Sequence, residues 1–151
     1  MQAVTVTPEG VEGATNEGTA SEWLTAIHSW LRQLPGTTLD GPTRAPGPGW
    51  NYYQVRVQQA DGSTVRLLLN AAVRLVAASA DEGVPTLGPL TFIELKEPKA
   101  FADAGFTVAS SAELNRDAAP EELAVLPAPQ LADVRYHDAQ SVGDVLFNRF
   151  D

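Results

Sequence analysis

Residues 50–69, WNYYQVRVQQADGSTVRLLL, alternate in two runs around an Asp-Gly pair, and this limits the fold more than any other stretch. Tyr53, Val55 and Val57 share one side of the first run, while Tyr52, Gln54, Arg56 and Gln58 share the other. Period-2 alternation is the signature of a half-buried strand. In the second run Val65, Leu67 and Leu69 alternate with Thr64, Arg66 and Leu68. Asp61-Gly62 suits the connection, because glycine tolerates positive φ. The stretch reads as a β-hairpin.

Its register follows from burial. A two-residue loop at Asp61-Gly62 sets Val57 opposite Arg66 and turns the two apolar sets to opposite sides. A three-residue loop, Ala60-Asp61-Gly62 with Gly62 left-handed, pairs Val57 with Val65, Val55 with Leu67 and Tyr53 with Leu69. A slip of one residue inverts every side chain, so the burial pattern outweighs the nominal turn preference and predicts the longer loop.

A chain of 151 residues, 44% of them hydrophobic, can fold without a staple. It has no cysteine, which excludes disulfides, thiolate metal sites and cysteine nucleophiles and is compatible with a reducing compartment. The start lacks Lys, Arg and a long apolar run, so no secretory signal is expected. The longest run of aliphatics larger than alanine, Leu67 to Leu69, is too short to span a bilayer, and a soluble cytoplasmic protein is expected. Net charge is −9, with nine acids and three bases in residues 101–151. Such a chain repels nucleic-acid phosphates and anionic membranes. Its acidity serves solubility, or meets a basic partner surface.

Around the hairpin, residues 1–18 read as a flexible lead-in and residues 19–151 as one α+β domain. A helix is predicted over residues 21–34, with Thr19 and Glu22 at capping-box spacing and Trp23, Ile27, Trp30 and Leu34 on one apolar face. His28 sits at the edge of that stripe and reads as a partly buried structural histidine. Residues 37–49 are a loop of turn formers. Residues 70–79 fit two readings, since alanine favours a helix while Val73, Leu75 and Ala77 alternate as in a strand. A strand is expected over residues 89–96, in the sheet interior, and a short one over residues 106–108. Ser110 and Glu113 open a helix, Pro120-Glu121-Glu122 another, and residues 132–137 read as a strand. Ser141 and Asp144 cap an apolar helix over residues 142–150.

The fold class expected is therefore α+β. An antiparallel sheet of four to five strands, built on the central hairpin, carries the N-terminal and C-terminal helices on one face.

No constellation identifies a reaction. His137, Asp138 and Ser141 make only a weak triad candidate, because neighbours in a strand point apart and Ser141 caps a helix. Two histidines without cysteine make a poor zinc set, and the acids follow no calcium-loop spacing. Neither cofactor nor metal is expected. Three functional readings remain: a non-enzymatic interaction module (inhibitor, immunity-type or adaptor) facing a basic partner, a small-molecule binding protein or small hydrolase, or a phosphate-mimicking acidic protein that blocks nucleic-acid binders. The second would use a pocket near Trp50, Tyr52 and His137, and binding candidates are Trp50, Tyr52, Arg56, His137 and Asp138.

Overall fold

The computed structural model describes residues 4–81 and 90–150. Its strands are β1 (Thr38–Leu39), β2 (Tyr53–Gln58), β3 (Thr64–Asn70), β4 (Leu75–Ala80), β5 (Phe92–Ile93) and β6 (Thr107–Val108). Its helices are α1 (Pro8–Glu12), α2 (Glu17–Arg32), α3 (Lys99–Asp103), α4 (Ser111–Asn115), α5 (Pro120–Ala124), α6 (Ala128–Tyr136) and α7 (Val142–Leu146). The class is α+β, and the sheet is antiparallel except where β6 joins it.

The hairpin has the register that burial predicts: Val57 faces Val65, Val55 faces Leu67 and Tyr53 faces Leu69. Gln59 N donates to Ser63 O (2.8 Å), Gly62 N donates to Gln59 O (3.0 Å), and Gly62 has φ +88°, closing the three-residue loop. Residues 70–79 resolve into the end of β3, a turn at residues 71–74 and β4. Val76 and Ala78 enter one apolar cluster and Leu75 and Ala77 the other, so burial on two faces outweighs alanine's helix preference. Arg74 takes φ +51° in that turn. It is held by ion pairing with Glu22 (2.7 Å), by donating to Ala104 O (3.0 Å) and by lying over the Phe106 ring (4.3 Å).

The outer edge of β4 is shared end to end. Leu75 and Val76 pair in parallel with Thr107 and Val108, while Ala78 and Ser79 pair antiparallel with Ile93 and Phe92. The strand expected inside the sheet over residues 89–96 is thus a two-residue edge piece, and residue 89 lies outside the described residues. On the opposite edge, β1 and an Arg44–Gln54 bridge lay the loop of residues 37–49 along β2.

Helix placement differs from expectation. Trp23, Ile27 and Trp30 of α2 pack on Val55, Val57, Val65, Leu67, Leu69, Val76 and Ala78. Val142, Val145 and Leu146 of α7 instead join Tyr52, Leu68, Leu75, Ala77 and Phe92. These strand residues alternate with the first set, so the two helices lie on opposite faces. Leu67, Leu68 and Leu69 are all 0% exposed, and three successive buried leucines require both faces covered.

Residues 4–18 of the expected lead-in are packed as well. Val4, Val6 and Val11 enter the second cluster, α1 follows Thr7, and Asn16, not Thr19, caps α2 by accepting from Thr19 N (3.0 Å). His28 is exposed on α2 rather than half-buried. The strand expected over residues 132–137 is helical, within α6 and just beyond it. Pro129 sits in the first turn of α6, and only Val134 of that helix is buried, so the alternation there carried no burial signal. The Ser110–Glu113 capping box and the Ser141 cap form as expected, although α7 stops at Leu146.

Three buried asparagines hold the second face together. Asn51 Nδ2 lies within hydrogen-bond distance of Gly10 O (3.0 Å), Val11 O (3.1 Å) and Leu146 O (3.1 Å). Asn70 Nδ2 donates to Gly10 O and Leu146 O, both at 2.8 Å. Asn148 Nδ2 donates to Val11 O (2.8 Å), and its backbone N donates to Asn51 Oδ1 (2.9 Å). Among the described residues, no helix is long and apolar enough to cross a membrane.

Candidate anion-binding cleft

The hairpin register has an electrostatic consequence. With Val57 opposite Val65, Arg56 falls directly opposite Arg66, on the face shared by Tyr52 and Leu68. Like charges directly opposite are unfavourable in a sheet and call for an offsetting group. That group is Asp81, one residue past β4, whose side chain is 1% exposed. Its Oδ2 accepts from Arg56 Nε (2.6 Å) and its Oδ1 from Arg66 Nη2 (3.2 Å). Asp40, just after β1, lies 3.7 Å from Arg56 Nη2.

Two more cations arrive from distant parts of the chain. Arg44 is fixed by its backbone bridge to Gln54 (2.8 and 2.9 Å), and its guanidinium lies 5.7 Å from the Trp50 ring centre. Arg149 follows the anchored Asn148. Together Asp40, Arg44, Arg56, Arg66, Asp81 and Arg149 line a cavity of about 450 Å³, with Pro42 on its apolar wall. Burial pushes the Tyr52 phenol pKa up, while the nearby Arg149, Arg66 and Arg44 charges pull it down, so these cations also bear on Tyr52. Arg66 Nε is buried and has no hydrogen-bond partner.

This face therefore changes character along its length. Near Tyr52, Leu68 and Ala77 it is apolar and covered by α7; at Arg56 and Arg66 it is cationic and opens into the cavity. Four guanidiniums can grip an anion through charge-assisted, bidentate hydrogen bonds. Among the described residues, no group of three or more His, Cys, Asp or Glu could hold a metal ion. A second cavity of about 160 Å³ is lined by Val4, Thr5, Thr7, Val73, Leu75, Thr107 and Leu146, none of them charged.

Of the five residues singled out from sequence, Arg56 lines the cleft. Trp50 adjoins it beneath Arg44 and donates from Nε1 to Ala45 O (3.0 Å). Tyr52 is buried edge-on to Phe147, with ring centres 6.0 Å apart. His137 stacks on Phe150 (5.0 Å), and Asp138 is exposed with φ +54°, accepting from Gln140 Nε2 (3.2 Å). Trp50, Tyr52 and His137 line neither of the two cavities. Sequence reasoning missed Asp40, Arg44, Arg66, Asp81 and Arg149. Arg66 carried a signal, because the Val57–Val65 register already implied an Arg56–Arg66 pair.

No protein-family model, curated protein or solved structure matches the chain.

Proposed function

We propose that this chain is a non-enzymatic binding protein that holds an anionic small molecule in the arginine cleft. One observation carries the reading: four of the chain's ten basic residues line one cavity in a protein of net charge −9. Concentrating positive charge against the overall balance focuses the field on a small anion, and the cavity falls in the size range of small-molecule sites. A cytoplasmic location belongs to the same proposal, in keeping with a chain free of cysteine.

Calorimetric titration with inorganic phosphate, sulfate and succinate at low ionic strength tests it. Saturable binding that weakens as salt rises is expected, as is weaker binding by Arg44→Gln. If none of the three anions binds saturably, the reading falls.

A second reading, the acidic interaction module facing a basic partner, draws support from the opposite charge. Glu121, Asp133 and Asp138 are exposed in the C-terminal third, and Tyr136 among them is 84% exposed. Exposed tyrosines ringed by charge are common interface anchors. Reversing Asp133 and Asp138 to Lys should abolish salt-sensitive capture of a basic partner while leaving anion titrations unchanged. Capture that survives the reversal counts against it.

A further inference from the structure

We infer that the cleft takes a phosphate monoester whose phosphoryl group replaces the Asp81 carboxylate between Arg56 and Arg66. This rests on the anion-binding reading above and adds the ligand class and the exchange.

One guanidinium donor of the pair goes unserved. Asp81 gives one oxygen to each guanidinium, Oδ2 to Arg56 Nε at 2.6 Å and Oδ1 to Arg66 Nη2 at 3.2 Å. Arg66 Nε is left buried without a partner, although Nε and Nη2 form the edge with which an arginine grips two oxygens at once. A buried donor in that state is costly. Placed to bridge both arginines, Asp81 leaves Arg66 Nε unserved. A phosphoryl group brings three terminal oxygens: two for the Arg66 edge and one for Arg56. A carboxylate ligand would only repeat what Asp81 already does.

Charge agrees with this count. Among the described residues that line the cavity, Arg44, Arg56 and Arg66 outnumber Asp40 and Asp81 by one. A phosphate monoester carries about −1.5 to −2 near neutral pH, more than a single carboxylate can bring. Moving Asp81 out of the pair raises the local surplus to meet it. Volume then separates ester from inorganic ion. A cavity of about 450 Å³ exceeds a bare phosphate several-fold, and Pro42 gives an organic body a surface to lie against.

Calorimetry at fixed ionic strength with ribose 5-phosphate, inorganic phosphate and succinate tests the inference. Ribose 5-phosphate should bind about tenfold or more tighter than succinate, since only its phosphoryl group brings three oxygens to one point and so serves Arg66 Nε as well as the two donors that Asp81 already satisfies. It should also bind tighter than inorganic phosphate. If succinate equals or exceeds the ester, or inorganic phosphate matches it, the ligand class is wrong and the anion-binding reading stands. If none of the three binds, both fall. Asp81→Asn, which removes the competing charge, should tighten ester binding several-fold; weaker binding with an unchanged melting midpoint overturns the exchange. Should that variant fold poorly, the unaltered protein still decides. The ¹H–¹⁵N resonance of Arg66 Nε should shift on saturation with the ester, and an unmoved resonance rejects the exchange.

Discussion

The two faces of the sheet are closed by different means. On the first, one long helix lays Trp23, Ile27 and Trp30 over the hairpin, and the cluster is overwhelmingly apolar. On the second, α1, α4, α6 and α7 assemble from both ends of the chain around Tyr52 and Leu68. There the side-chain amides of Asn51, Asn70 and Asn148 stitch α1 and α7 to the sheet. A face sealed by one continuous element needs little polar guidance, because burying its stripe fixes its pose. A face tiled by short helices needs directional bonds to say where each tile goes. It is also the face that stops short of the sheet's end, leaving the Arg56–Arg66 row open.

The largest effects should come from the two apolar anchors. Trp23→Ala and Phe147→Ala each remove a buried aromatic, one per face, and should each cost about 3–5 kcal/mol in denaturant unfolding. A near-zero cost for Phe147→Ala would deny that the second face is a core at all.

Next in size is Asn51→Ala, which leaves the buried Asn148 N–H without its acceptor at about 1–3 kcal/mol, while Asn70 and Asn148 still serve the carbonyls of Gly10, Val11 and Leu146. Hydrogen exchange should show protection lost in α1 and α7 while α2 keeps its own. Uniform loss across both faces would erase the contrast between them.

A smaller, pH-linked effect belongs to Glu122, whose carboxylate is 12% exposed. It accepts from Arg116 (2.6 and 3.0 Å), Ala119 N (3.0 Å), Val6 N (2.9 Å) and Thr5 Oγ1 (2.9 Å). Chiefly through Arg116, its pKa is lowered from 4.5 to about 2. A depressed carboxyl pKa stabilises the fold above the unfolded value, and that stability is lost as pH falls from 4.5 toward about 2. Glu122→Gln should cost about 1–3 kcal/mol at neutral pH and flatten the acid-unfolding curve over that window. A variant whose acid curve overlays the parent's would show that this latch contributes nothing. Burial of Asp144 raises its pKa and works in the opposite sense, adding stability as pH falls.

The smallest effect on folding is expected at the cleft itself. Arg44 is exposed, so Arg44→Gln should move stability by less than about 0.5 kcal/mol while weakening anion binding. A large loss of stability would make Arg44 a structural strut of the second face.

The first face was the more legible of the two. Alternation over Tyr53 to Val57 and Val65 to Leu69 carried the register, and the Trp23/Ile27/Trp30 stripe carried the helix that covers it. On the second face Leu68 was read as outward because alternation assigns one polar side, and that assumption put α7 on the wrong side of the sheet. The segment through Val134 and Tyr136 is too short for period 2 and period 3.6 to be told apart, and it proved helical. The acidic anchors of Val4 and Val6, Glu113 and Glu122, lie 109 and 116 residues away, so nothing local marked the N-terminal stretch as packed. The cleft was half readable. Arg56 and Arg66 follow from the hairpin, whereas Asp40, Arg44 and Arg149 arrive only through tertiary folding.

The short strands at the sheet's margins bear on how copies of this chain meet one another. β1 offers two residues on one margin, and the other is divided between β5 and β6, each two residues long and running in opposite senses. Among the described residues, a neighbouring molecule seeking to extend the ladder finds no long, uniform template to copy, which guards a β-rich centre against fibril-like stacking at high concentration.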